Sequence, residues 1–296
     1  MAHEHEPEMP TNTSITRVYE PIIEELSLVR NNIRRAIRVD DSRVDKVVSY
    51  VFKGAGKLLR PALTLFAGLA VKPDGTEGTP DKLIQLATAV ELIHNASLVH
   101  DDVLDGSELR RDMQTLNRAY NTHIAVLTGD AIFTQAFYLM THHLERETIE
   151  PLTRVTAGMC HAEIMNELHS GDSMDMETYL TIIQLKTAAL MSAATEAGAR
   201  VMGASPPLIK AMADYGMSIG IAYQLVDDYI DDETDSVAEF SIEHAYGAAR
   251  RAMDSLGDVE DSVYKEKLIE MVELVIQMAR SKDMSATPEL DGRPLS

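Results

Sequence analysis

Residues that break secondary structure are sparse in this chain and fall into a few groups. The main groups are Lys72–Pro80, Gly171, Pro206 with Pro207, and the run Thr287–Ser296. Between them apolar residues recur at helical spacing, and the alternation of apolar and polar residues that would predict strands is hard to find. Such long uninterrupted stretches predict an all-α fold.

The apolar periodicity predicts about ten helices joined by short loops. Their expected ranges are 15–38, 42–53, 58–70, 81–105, 121–146, 149–170, 176–202, 206–231, 237–255 and 259–281. Long helices with short connections favour a single-domain antiparallel bundle of about 10–12 helices. We expect this helical domain over 14–282, with flexible tails at 1–13 and 283–296.

Charge and terminal composition limit the partners and the location. The chain has 27 Lys and Arg against 47 Asp and Glu, a formal net charge of −20, which repels nucleic acids and anionic membranes. Residues Met1–Thr13 lack the apolar core of a signal peptide, and no stretch approaches the ~20 apolar residues of a membrane span. We therefore predict a cytoplasmic protein with no transmembrane segment and no nucleic-acid partner.

Two aspartate clusters of identical spacing each follow a long apolar helical stretch. They consist of Asp101, Asp102 and Asp105, and of Asp227, Asp228 and Asp231. Carboxylates this close repel one another unless a cation neutralises them, and magnesium is commonly held by one or two carboxylates plus substrate phosphates. One such cluster could be a solvated helix end. Two of them, each ending a buried helix, predict a site in which metal ions hold a diphosphate.

Basic residues, of which the chain has few, stand where an anionic ligand would need them. Lys57 and Arg60 precede the first cluster, Arg110 and Arg111 follow it closely, and Lys186 stands before Thr187. Surface solubility explains this placement less well than an anionic ligand does.

Taken in chain order, these segments resemble the trans-type isoprenyl (polyprenyl) diphosphate synthases. The matching segments are GKLLRP at 56–61, ELIH at 91–94, DDVLD at 101–105, RR at 110–111, GD at 129–130, KT at 186–187 and GIAYQLVDDYID at 220–231. Each is a weak to moderate signal alone, but the ordered set is strong. The resemblance implies an isoprenoid-synthase bundle around a central cavity.

The resemblance also implies a role for each matching residue. The six clustered aspartates would bind Mg²⁺, as three ions, together with an allylic diphosphate that Arg110 and Lys186 contact. The second substrate, isopentenyl diphosphate, would be held by Lys57, Arg60, His94 and Arg111. Thr187 and Gln224 match positions whose oxygen atoms face a carbocation. Glu163 and Asn166 are candidates for supporting groups.

The implied reaction is a head-to-tail condensation that gives a longer trans-polyprenyl diphosphate. Metals and cationic side chains would stabilise the departing diphosphate, and the double bond of isopentenyl diphosphate would attack the allylic cation left behind. Ala96 and Ser97 are small where bulky residues would block chain growth, so we expect products of about twenty carbons or more, unless Ile93 closes the cavity. Apolar central helices favour a homodimer.

Three departures from the family pattern keep alternatives open. Leu58 stands in place of an arginine, Asp112 stands in place of a glycine, and residues 232–249 contain no Lys or Arg where the family carries a lysine-bearing segment. The chain could therefore be a weakly active or inactive regulatory subunit of a heteromer with a homologous chain. A terpene cyclase is less consistent with the complete second aspartate cluster.

Overall fold

The computed structural model of the protein describes residues 12–53, 56–72, 78–168, 176–231 and 235–285, with the side chains of 12–14, 231–241 and 281–285 outside this description. The α-helices in these ranges are α1 Asn12–Tyr19, α2 Ile23–Ala36, α3 Ser42–Tyr50, α4 Leu59–Ala70, α5 Asp81–Leu104, α6 Leu116–Ala119, α7 Thr122–His143, α8 Arg146–Leu168, α9 Met176–Ile183, α10 Ala189–Val201, α11 Pro206–Asp231, α12 Asp235–Ser255 and α13 Val263–Ser285. An antiparallel ribbon pairs β1 (Leu109–Arg110) with β2 (Met113–Gln114). The predicted all-α fold is confirmed.

Several predicted boundaries differ from those in the structure. The helix predicted at 15–38 is divided by a 3-10 segment, Glu20–Ile22, which contains Pro21; proline has no N–H to continue an α-helical ladder. The helix predicted at 176–202 includes a π-helical turn, Gln184–Ala188. The ribbon was not predicted because strands of two residues are too short to show alternation. The predicted tails lie almost entirely outside the described residues.

Helices α5 and α11 lie at the centre of the bundle. Nearly every side chain of α5 from Leu83 to Ala96 is buried, and α11 packs between α10 and α12 while α5 packs along α7. Burying one large apolar side chain contributes about 1.5–3 kcal/mol, so both helices are firmly anchored. Their C-terminal ends, which carry the two aspartate clusters, are therefore presented by rigid elements.

Helix α7 is the one described helix whose length and apolar composition would suffice to cross a membrane. It therefore departs from the expectation that no stretch would reach such a length. The core helix of a soluble protein passes the same test, and α7 packs lengthwise on α5.

Candidate active site

A cavity of about 280 Å³ opens between the ends of α5 and α11. The predicted site residues on its wall are Arg60, His94, Asp101, Arg110, Lys186, Thr187, Gln224, Asp227 and Asp228. These residues come from α4, α5, the ribbon, the π-helical turn and α11, so they are far apart in sequence and meet only in the folded chain. Lys57, Asp102, Asp105 and Arg111 do not line this cavity.

The three aspartates of the first cluster have different surroundings. Asp101 lines the cavity and Asp105 is exposed at the C-terminal end of α5. Asp102 is buried and turns away from the cavity, where its Oδ1 accepts a hydrogen bond from Arg110 Nε at 2.7 Å. The structure thus pairs the middle aspartate with one of the predicted diphosphate-binding arginines.

Burial of Asp101 changes its acidity. The pKa of this carboxyl is raised from 3.8 to about 7, chiefly by desolvation; Glu163 and Asp105 add to the rise, and Lys186 and Arg110 oppose it. Burial would lower the pKa of Lys186, but Asp101, Glu163 and Asp105 together raise it, so this lysine carries its charge. Lys186 Nζ forms a salt bridge with Glu163 Oε1 at 2.9 Å. Glu163, a candidate supporting group, therefore holds the lysine at the cavity.

The second cluster stands on α11 next to the π-helical turn. A Cβ atom on Gly220 would lie 2.6 Å from Ala188 Cα, so only glycine allows α11 to pass this close to the turn. Asp227 and Asp228 reach the cavity, whereas the side chain of Asp231 is outside the described residues. The two carboxylates of α11 therefore share one space with Asp101 of α5.

A chain of hydrogen bonds fixes this side of the cavity. Thr187 Oγ1 donates to Gln224 Oε1 at 2.8 Å, and Gln224 Nε2 donates to Asp228 Oδ1 at 2.9 Å. The hydroxyl of Tyr179 donates to Asp228 Oδ2. Lys186 and Thr187 lie within the π-helical turn, a feature that is often found at functional sites. These bonds set the orientation of Asp228 and of the Gln224 amide.

A smaller basic pocket adjoins the main cavity. Its lining comprises Lys57, Leu58, Leu59, Arg60, Glu91, His94, Arg111 and Tyr223, so all four predicted isopentenyl-diphosphate ligands meet there. Arg60, His94 and Tyr223 line both spaces. The two predicted substrate sites are therefore neighbours.

His94 is neutral in this pocket. Burial, and then the charges of Arg60, Arg111 and Arg110, lower its pKa well below 6.5. Its Nε2 lies 2.9 Å from Arg60 Nη1, and because arginine can only donate, Nε2 must be the acceptor. His94 therefore orients the Arg60 guanidinium and adds no positive charge of its own.

The arrangement of carboxylates is suited to metal ions shared with a ligand. Among the described residues, no three His, Cys, Asp or Glu side chains converge into a ready-made metal site. Magnesium typically completes its shell with water and substrate phosphates around one or two carboxylates. Asp101 on α5 and Asp227 with Asp228 on α11 meet this requirement, and a cation would stabilise the charge that burial of Asp101 disfavours.

Comparison with known proteins identifies the family. A family model described as polyprenyl synthetase matches residues 41–239. The chain belongs to this family. Membership makes it a prenyltransferase of the trans-isoprenyl diphosphate synthase type, and neither the regulatory-subunit nor the terpene-cyclase alternative is favoured.

Curated relatives in the polyprenyl synthetase family share nearly a third of the aligned residues. A prenyl transferase from Synechocystis sp. is 31% identical over 219 residues, which are 74% of this chain and 67% of the relative. The octaprenyl diphosphate synthase of Escherichia coli is 31% identical over 223 residues, 75% of this chain and 68% of that protein. A chloroplastic solanesyl-diphosphate synthase of Oryza sativa is 30% identical over 225 residues, 75% of this chain and 56% of that protein.

Solved structures in the family have the same fold. A decaprenyl diphosphate synthase from Rhodobacter capsulatus superposes with a TM-score of 0.81 at 27% identity, covering 90% of this chain and 99% of that one. A polyprenyl synthase from Caulobacter crescentus, solved with calcium and isoprenyl diphosphate, gives a TM-score of 0.81 at 25% identity, covering 88% and 97%.

The polyprenyl synthetase pattern is modified at Asp112 in a way that the structure explains. Arg111 and Asp112 have φ angles of 51° and 60° and form the two-residue turn of the ribbon. Both central positions of a hairpin turn of this class need positive φ, which Asp tolerates better than most residues do. Asp112 can therefore replace the glycine and still place Arg111 beside the basic pocket.

Sequence reasoning missed two tyrosines of this site. Tyr179 holds Asp228, and Tyr223 lies on the wall between the two spaces. Tyr179 precedes Lys186 by seven residues, two helical turns, and this spacing could have indicated a shared face. Tyr223 lies next to Gln224 within a matched motif, but an aromatic residue in an apolar helix is usually interpreted as part of the hydrophobic core.

Proposed function

We propose that this enzyme condenses isopentenyl diphosphate with an allylic prenyl diphosphate in a magnesium-dependent reaction. One observation carries the proposal: aspartates from α5 and α11 line a single cavity together with Lys186 and Arg110, and a second basic pocket adjoins it. The first space suits a diphosphate bound through metal ions. The second suits a diphosphate bound by cationic side chains alone.

Asp101, Asp105, Asp227, Asp228 and Asp231 would hold Mg²⁺ together with the allylic diphosphate. The bound ions supply Lewis acidity that stabilises negative charge on the leaving group. We assign Asp102 to the orientation of Arg110 instead of to a metal, because it is already bonded to that side chain. The number of ions, three, remains a prediction from the resemblance.

The side chains of the cavity match the charge that develops in the reaction. As the allylic carbon–oxygen bond breaks, Lys186 and Arg110 stabilise the departing diphosphate. The oxygen dipoles of Thr187 and Gln224 face the carbocation, and Tyr179 holds the neighbouring Asp228 in place. The double bond of isopentenyl diphosphate then forms the new carbon–carbon bond, and the released diphosphate takes the proton that is lost.

Lys57, Arg60 and Arg111 would bind the diphosphate of isopentenyl diphosphate, with His94 orienting Arg60. Ala96 is buried and Ser97 lines the main cavity, so no bulky side chain from these positions obstructs the growing chain. Relatives named for octaprenyl and solanesyl products support a long-chain product. We therefore expect a product longer than twenty carbons.

We also propose a homodimer that forms through α7. Leu127 and Tyr138 on this helix are 64% and 58% exposed, and Val126 is exposed beside them. Large apolar side chains grouped on one exposed helix face are typical of an interface. Location in the cytoplasm remains a prediction.

The decisive experiment is turnover by the purified protein alone. It would be incubated with labelled isopentenyl diphosphate, magnesium and either farnesyl or geranylgeranyl diphosphate, and the dephosphorylated products would be separated by chromatography. We expect a longer prenyl alcohol with magnesium, none with EDTA, and none from the Asp227→Ala variant. Absence of product with every primer would contradict the proposal.

A further inference from the structure

A larger cavity lies beside the basic pocket and takes no part in the proposed reaction. Its volume is about 520 Å³, within the range of about 300–1,000 Å³ that is usual for small-molecule sites. Its walls are Arg30, Ile33 and Arg34 of α2, Ile37 just after α2, Ser49 of α3, Phe52 and Lys53 just after α3, Gly56 and Leu58, and Glu91 and Asn95 of α5.

One part of this cavity is cationic. Arg30 and Arg34 are exposed on one face of α2, four residues apart. Lys53, three residues beyond the end of α3, also lines the cavity, and its ammonium lies 5.3 Å from the centre of the Tyr50 ring. Within the described part of the chain, neither arginine forms a salt bridge with an acidic side chain. In a chain with a net charge of −20, three grouped cations without acidic partners favour binding of an anion.

The single carboxylate in the wall is engaged elsewhere. Glu91 Oε1 accepts a hydrogen bond from Asn95 Nδ2 at 3.0 Å. The same oxygen and Arg111 Nη1 both lie within 3.4 Å of the position that a Cβ atom on Gly56 would take, so this carboxylate is close to an arginine of the basic pocket. Glu91 is therefore bonded to other groups and forms no salt bridge with Arg30 or Arg34.

The remaining wall is apolar. Ile33, Ile37 and Leu58 are buried, and Phe52 is half-buried beside them. Leu58 occupies the position where the family pattern has arginine, so this departure makes the wall apolar. A cavity with cations at one part and aliphatic and aromatic side chains at another suits an anion that carries a hydrocarbon chain.

We propose that this cavity is a second, regulatory site for a prenyl diphosphate. The diphosphate would contact Arg30, Arg34 and Lys53, and the chain would lie along the apolar wall. Leu58 and Glu91 line both this cavity and the basic pocket, so an occupant changes the walls of the isopentenyl site and weakens binding there. The choice of a prenyl chain rests on the proposed function, whereas the requirement for an amphipathic anion rests on the cavity alone.

Direct binding tests the site without turnover. The chain has no tryptophan, so Phe52→Trp places a single fluorescent reporter in the wall. This protein is titrated with farnesyl diphosphate in EDTA, which prevents metal-dependent binding at the aspartates. We expect a saturable fluorescence change, and an affinity that is lower by about tenfold or more when Arg30→Ala and Arg34→Ala are added.

The matched control carries Arg35→Ala and Arg38→Ala, which remove two exposed charges from the same region without touching the cavity. Equal weakening in both variants, or no saturable change, overturns the proposal. Equal affinity for inorganic diphosphate overturns the role of the prenyl chain. Binding only to vesicles that contain phosphatidylglycerol also overturns the proposal, in favour of a lipid surface.

Kinetics on the protein with Phe52 intact provide the second readout. Farnesyl diphosphate, used as the primer and raised beyond the concentration that saturates the allylic site, should raise the KM for isopentenyl diphosphate. The Arg30→Ala/Arg34→Ala variant should keep its basal turnover and lose this effect, while the control variant retains it. If the KM for isopentenyl diphosphate still rises in the Arg30→Ala/Arg34→Ala variant, the proposed site is wrong. A failed proposed function would appear separately, as no turnover in any variant.

Discussion

Asp102 accepts a 2.7 Å hydrogen bond from Arg110 Nε, and its carboxylate is only 8% exposed. A bond between two charged groups in so buried a place fixes the guanidinium more firmly than a surface ion pair would. Arg110 can therefore present its other nitrogen atoms to the cavity. The pair joins the end of α5 to the ribbon that also carries Arg111.

We predict that Asp102→Asn and Arg110→Gln each lower kcat/KM for the allylic diphosphate by roughly 10- to 100-fold, because each change breaks one charged hydrogen bond. If Asp102 acts by orienting Arg110, the double variant should be hardly slower than Arg110→Gln alone. A double-mutant cycle measures this coupling. Fully additive losses would show that Asp102 has a separate role, such as metal binding.

The acidity of Asp101 gives a prediction about stability without metal. Its folded-state pKa of about 7 is above the 3.8 of an ordinary aspartate, so the folded chain binds the extra proton between about pH 4 and pH 7. The free energy of unfolding therefore falls as pH rises through this window, by up to about 4 kcal/mol. In EDTA, Asp101→Asn should raise the Tm at pH 8 and leave it unchanged near pH 4.

Thermal unfolding at both pH values checks this expectation, with Asp258→Asn, an exposed aspartate, as the control. Asp101→Asn should also lose most turnover. A variant that is no more stable than the parent at pH 8 would argue against a buried, strained carboxylate at this position.

His94 changes the free energy of unfolding with pH in the opposite direction. Its folded-state pKa lies well below 6.5, so the unfolded chain takes up a proton first as pH falls, and the stability contributed by neutral His94 is lost below pH 6.5. His94→Gln keeps an oxygen acceptor for Arg60, so its KM for isopentenyl diphosphate should rise by only a few fold. His94→Ala removes the acceptor, and its KM should rise by about tenfold or more.

Steady-state kinetics with isopentenyl diphosphate as the varied substrate distinguish the two variants. Their unfolding, compared at pH 5 and pH 8, should show a weaker dependence on pH than the parent. Similar KM values for the glutamine and alanine variants would contradict a positioning role for His94.

Close packing at Gly220 links the fold to the chemistry. The β-carbon introduced by Gly220→Ala would lie 2.6 Å from Ala188 Cα, so α11 must move away from the turn that carries Lys186 and Thr187. Overpacking of this kind typically costs about 1–3 kcal/mol. We expect a lower Tm and a loss of turnover greater than the loss of stability explains, because Thr187 and Gln224 would separate.

Gly247→Ala on α12 is the matched control, since its new β-carbon would meet only the flexible end of Arg251, 3.6 Å away. Replacing a helical glycine there should be stabilising by roughly 0.5–1 kcal/mol with turnover unchanged. Denaturant unfolding and initial rates measure both effects. Identical behaviour of the two variants would mean that Gly220 has no special packing role.

The exposed apolar face of α7 predicts the oligomeric state. Leu127→Asp places a charge in the proposed dimer interface and should convert the protein to a monomer in sedimentation experiments. Leu28→Asp on α2 changes a comparably exposed leucine outside that face and should leave the assembly intact. A dimer that survives Leu127→Asp would place the interface elsewhere.

The sequence by itself determined the all-α class and identified most of the candidate site residues, whose roles remain predictions. Long helical periodicity predicts a helical bundle. The spacing of the two aspartate clusters, which is visible in the sequence alone, indicates metal binding. The family was also evident from ordered motifs, because each motif is local and needs only a few adjacent residues.

The tertiary structure decided the contacts, orientation and acidity of these side chains, because burial and orientation depend on neighbours from distant helices. Packing against Arg110 turned Asp102 away from the cavity, and desolvation gave Asp101 its high pKa. A π-helical turn and the contact of Gly220 with Ala188 placed Lys186 and Thr187 beside α11. Tyr179 joined the site because folding brings its hydroxyl to Asp228, a contact between residues 49 positions apart that no local pattern encodes.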